Sequence, residues 1–83
     1  MENPAQDIDL DLRGTVCPMA FVKLRLFADQ LSAADTFSAL YEDTHANEPL
    51  VRSIEGVGHK VLSNQPINLG GSDLRIIRVQ IVD

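Results

Sequence analysis

Asp7-Ile8-Asp9-Leu10-Asp11-Leu12 alternates acidic and aliphatic side chains without an error, and from Pro18 the spacing becomes that of a helix. A period of two puts the aliphatic groups on one face of a strand and the carboxylates on the other. Three aspartates in a row of that kind blunt the strand as an edge. Beyond the switch, Phe21, Leu24, Ala28 and Leu31 recur at helical intervals, with Lys23, Arg25, Asp29 and Gln30 largely between them. The spacing predicts a helix from Pro18 to about Leu31. Arg13 to Val16 is the connection. The chain is committed to a strand followed by a helix.

Further on, Thr36 to Glu42 is apolar on parts of both faces and reads as a central strand. Asp43 to Asn47 is a loop. Asn47 is placed to cap a short second helix with Pro49 in its first turn and Leu50, Val51, Ile54 and Val57 as its apolar stripe; Gly56 and Gly58 end it. Lys60 to about Asn64 is a weaker strand, Gly70-Gly71-Ser72 a turn, and Leu74 to Val82 a long β-branched strand. The order β-α-β-α-β-β, with a right-handed crossover between the first two strands, implies an α+β two-layer sandwich. Its four-stranded mixed sheet carries both helices on one face. The other face has little cover left in the chain. The 83 residues hold a single domain, 1–83, in which Met1 to Gln6, polar and containing Pro4, is expected to be a loose end.

Charge narrows the classes of function. The net charge is -5, from 12 acidic and 7 basic residues, and the cations are scattered along the chain. Nucleic-acid binding needs them gathered on one face, so it is not expected. No apolar run approaches the roughly 20 residues of a membrane span. A basic, then apolar, leader is not visible either, which makes the cytoplasm the default location and a membrane an unexpected partner. Cys17 is the single cysteine, which excludes an internal disulfide. His45 and His59 lack zinc-motif spacing to it, so neither a metal site nor a cofactor is expected.

That cysteine is the informative residue. The strand ends, a short loop turns, and Cys17 stands immediately before Pro18, a residue favoured at the first position of a helix. The spacing places Cys17 at the cap, with Pro18, Met19 and Ala20 as the first three helical residues. Unpaired N–H groups and the positive end of a helix favour an anion, so thiolate is expected over thiol. Met19 and Ala20 supply N–H donors. Arg13 on the same loop adds positive charge, and Asp11 opposes it if it points the same way. The plain alternative is a small buried hydrophobe.

Asp11, Arg13-Gly14, Cys17 and Pro18 together resemble the hallmark of the TusA/SirA-type sulfur carriers (sulfurtransferases): an acid, then Arg-Gly, two residues, and Cys-Pro-x-Pro at the start of the first helix. Phe21-Val22-Lys23, Glu48-Pro49, Arg52-Ser53 and Gly58-His59-Lys60-Val61 resemble one branch of that family. The resemblance implies the same sandwich. It also implies that Cys17 accepts sulfane sulfur as a persulfide from a cysteine desulfurase or rhodanese-like donor and passes it to an acceptor protein. Gly14 belongs to the same motif. Two positions depart from the pattern: Ala20 stands where the second proline of the motif belongs, and Ala34 where a glycine often precedes the second strand.

Two other readings compete with a sulfur relay. One is a binding or regulatory module with an inert Cys17 that docks a partner on the uncovered sheet face. The other is nucleic-acid binding, suggested by a topology similar to the carboxy-terminal domain of bacterial translation initiation factor three and opposed by the charge. Among the remaining polar residues, His45 and His59 read as loop and turn residues, Asp43 and Glu48 as separate surface charges, and Arg75 and Arg78 as solvated rungs of the last strand.

Overall fold

The computed structural model describes residues 8–82; the loose end expected at Met1 to Gln6 and the first aspartate of the alternating run, Asp7, lie outside them. In chain order the elements are β1 (Leu10–Asp11), α1 (Met19–Ala28), β2 (Thr36–Glu42), a 3-10 turn (His45–Asn47), α2 (Pro49–Val57), β3 (Lys60–Leu69) and β4 (Ser72–Gln80). The sheet is ordered β1-β2-β4-β3. β1 runs parallel to β2, and β4 is antiparallel to both of its neighbours. The expected four-stranded mixed sheet with two helices is the one observed.

β2 is central and buried from Phe37 to Tyr41. Its alternation decides the layers. Phe37 and Ala39 lie opposite Val79 and Ile77, and all four belong to the buried cluster that also takes Ala20, Leu24 and Ala28 of α1 and Leu50 and Ile54 of α2. Phe27 of α1 meets Phe37 at a ring separation of 5.0 Å, a distance typical of aromatic pairs. Leu40 and Ile76 pair on the opposite face, as do Ser38 and Arg78.

The boundaries differ from the sequence reading in ways that have local causes. α1 starts at Met19, with Pro18 as its N-cap, and ends at Ala28. The Gln30 and Leu31 N–H groups then donate to the carbonyls of Phe27 and Ala28, the tighter pattern of a frayed last turn. α2 runs through Gly56 and stops at Gly58, whose φ of 113° supplies the left-handed C-cap. β3 continues to Leu69 because it pairs with β4 along its whole length, despite a register irregularity between Val61 and Ser63 and despite Pro66. As an edge strand it tolerates both. Gly70 and Gly71 close the hairpin with φ of 58° and 85°. Arg75 and Arg78 do not share one face. Arg75 reaches Asn64 and Asp43, whereas Arg78 donates to Ser38 and Thr36 from the other side.

Candidate functional site

Cys17 sits in the loop between β1 and α1, half-buried, its side chain packed partly against the core. It stands one residue before the helix cap rather than on it, and the peptide bond to Pro18 is cis. Among the described residues nothing hydrogen-bonds the sulfur. The supporting residues named from the sequence are close in the chain but differently engaged. The Ala20 N–H donates to the Val16 carbonyl at 3.0 Å, and its methyl is fully buried in the core; Ala20 is therefore a packing residue, not the second donor expected for the sulfur. Pro18 and Met19 are exposed.

Arg13 turns back on Asp11. Its Nε and one terminal nitrogen donate to the carboxylate at 2.6 to 3.1 Å. The guanidinium holds the Asp11 carboxyl below its ordinary range, and the carboxylate in turn raises Arg13. The expected contribution of Arg13 to the sulfur is thus directed at Asp11 instead. Gly14 adopts a φ of 84°, a left-handed conformation suited to glycine, and its N–H donates to the Glu42 carboxylate at 2.5 Å.

The residue that sequence reasoning misplaced is Asn47. It does not cap α2, whose N-cap is Glu48. Asn47 is instead buried, accepts the Cys17 N–H on Oδ1 at 3.0 Å, and donates from Nδ2 to the Glu42 carbonyl at 2.9 Å. Its polarity in a loop was visible, but its partner lies 30 positions away, beyond the reach of local pattern.

The outer side of α1 is apolar next to the cysteine. Val16, Met19, Val22 and Leu26 are 43%, 54%, 42% and 57% exposed, and the three helical ones are spaced to share a face. Other candidates lie elsewhere. A cavity of about 320 Å³ is lined by Tyr41, Asp43, His45, Asn47, Asn64 and Arg75 among others, without Cys17; burial raises the Tyr41 phenol above its ordinary value of 10.0. His59 accepts the Val82 N–H on Nδ1 at 3.1 Å, a structural tether. Asp43 pairs with Arg75 and Glu48 with Arg52, so the two acids do not act together. No group of three metal-ligating side chains occurs among the described residues, and no helix among them is long and apolar enough to cross a membrane.

Comparison with known proteins bears on the chain as a whole. The family model of sulfurtransferase TusA matches residues 8–78, from before β1 into β4. The chain belongs to the TusA family. A protein of Archaeoglobus fulgidus named "Putative sulfur carrier protein" is 31% identical over 58 residues, which is 70% of this chain and 66% of that protein. The match therefore spans just under two thirds of that relative's length.

Proposed function

We propose that Cys17 is the sulfur-bearing residue and that it cycles between thiol and persulfide. The observation that carries this reading is the position of the lone thiol: partly open to solvent, held by its backbone, and bordered by exposed apolar side chains in a TusA-family chain. The Cys17 thiolate attacks the outer sulfur of a donor persulfide. A new S–S bond forms at Cys17 as the donor's S–S bond breaks, and the donor leaves as a thiolate. The step is an exchange and needs no external oxidant. A thiolate on an acceptor repeats it and restores Cys17. With a single cysteine in the sequence, no second thiol of this chain resolves the persulfide to a disulfide, so the sulfur leaves to another protein.

Cysteine desulfurase or rhodanese-like proteins are the donors this chemistry suits, and the apolar stripe of α1 gives them a place to dock beside the sulfur. On this reading the reaction is cytoplasmic and belongs to a single domain, 1–83. Incubation with a cysteine desulfurase and cysteine, or with inorganic polysulfide, is expected to add about 32 Da at Cys17, removable by a reducing agent. Intact mass spectrometry reads the addition. Equal labelling of the Cys17→Ser variant, or no labelling of the wild type by any of these donors, sinks the assignment and leaves the inert-cysteine module as the better account.

A further inference from the structure

We propose that Asn47 is a positioning residue for sulfur transfer at Cys17, an inference that rests on the carrier reading above. The side chain is 2% exposed and both ends of its amide are occupied. The Cys17 N–H can only donate and the Glu42 carbonyl can only accept, so the amide has one orientation that satisfies both. Glu42 also receives the Gly14 N–H on its carboxylate. The end of β2 therefore grips the reactive loop twice, once at Gly14 directly and once at Cys17 through Asn47. Between these grips the backbone is fixed while the sulfur itself carries no hydrogen bond among the described residues.

A sulfur handed between two proteins must meet its attacking partner in line, and both bodies are then docked and unable to adjust freely. Small errors of placement are costly in such a step; a displacement of about 1 Å can lower a rate by up to two orders of magnitude. A small reagent approaches from any direction and is indifferent to the same error. That difference separates positioning from mere support of the fold.

The test uses the full chain with Asn47→Leu, which is close in shape but loses both hydrogen bonds, and Asn47→Asp, which keeps an acceptor for the Cys17 N–H. Single-turnover sulfur uptake is measured from the protein donor that loads the wild type and from inorganic polysulfide, together with hydrogen exchange at the Cys17 amide. Asn47→Leu is expected to slow the limiting rate from the protein donor about tenfold, with the half-saturating donor concentration and the polysulfide rate within about twofold of wild type. The Cys17 amide should exchange faster in that variant, while the amides of β4 stay protected. Asn47→Asp keeps the acceptor for the Cys17 N–H but has no N–H for the Glu42 carbonyl, so it should recover only part of the transfer rate and of the amide protection lost in the leucine variant. If the leucine variant does not fold, Asn47→Ser, too short to reach Cys17, carries the same expectation. Uptake by the wild type with an unchanged protein-donor rate in folded Asn47→Leu overturns this proposal alone; no uptake by the wild type from any donor overturns the carrier reading and this proposal with it.

Discussion

Ala34 carries a positive φ of 74°, the one such value outside glycine among the described residues. It stands two residues before β2, at the position where the family resemblance implies a glycine. Its N–H donates to the Ile81 carbonyl, and Asp35 receives the Ile81 N–H, so the turn is fastened to the end of β4 and cannot relax. A Cβ in this region costs about 1–2 kcal/mol. Glycine removes that cost and adds freedom to the unfolded chain, which returns about 0.4–1 kcal/mol of the gain. Ala34→Gly is expected to stabilise the protein by about 0.5–1 kcal/mol, seen as a higher denaturant midpoint at unchanged slope. A lower midpoint would show that the left-handed turn is not the native one. Ala20 departs from the family pattern for an opposite reason: its methyl fills a core position with no exposed surface, so the sequence difference there belongs to packing.

Among the elements, β1 is the shortest, with two residues. Only Leu10 and Asp11 pair with β2 as strand. The Asp9 and Leu12 N–H groups donate to the Ser38 and Leu40 carbonyls on either side, and Leu10 and Leu12 pack on the core. Asp9 accepts the Ser38 N–H, and Asp11 accepts from Arg13. Because Arg13 lowers the Asp11 pKa from 3.8, the folded carboxyl keeps its charge to more acid pH than the unfolded one. The stabilisation is complete above the unfolded value and is lost as pH falls through the folded value below it. Both side chains are about half exposed, so the effect on global stability is small. It should show locally: below pH 3.8 the amides of β1 and the Arg13 N–H are expected to exchange faster while those of β2 and β4 keep their protection. Uniform loss across the sheet would contradict it. The same scale explains what pattern made legible. β2 was readable residue for residue because a central strand buries both faces. β3 was cut short because Gln65 and Pro66 look like a loop, and only its pairing with β4 makes them strand. Cys17 was found from its place beside a helix start, whereas its clamp, assembled from Glu42 and Asn47, depends on contacts 28 and 30 residues apart.

For the molecule as a whole, the cations are few, seven in all, and three of them are already occupied. Arg13, Arg52 and Arg75 are each paired with a carboxylate, against a net charge of -5. That balance leaves little positive charge to replace the counterions of a phosphate backbone. Filter retention of labelled RNA or duplex DNA at physiological salt is expected to show no micromolar binding; tight retention that falls steeply with salt would restore the nucleic-acid reading.

The two margins of the sheet also set how the protein behaves in company. One is a strand of two residues, β1; the other, β3, has its row interrupted near Val61 and Ser63 and lacks an N–H at Pro66. A second copy laid along either margin finds no long unbroken ladder to join. If each encounter loads or unloads one sulfur atom at Cys17, as proposed above, the sulfur in transit is limited by how much of the chain is present. Frayed margins let such a chain be crowded without knitting its sheets into fibres.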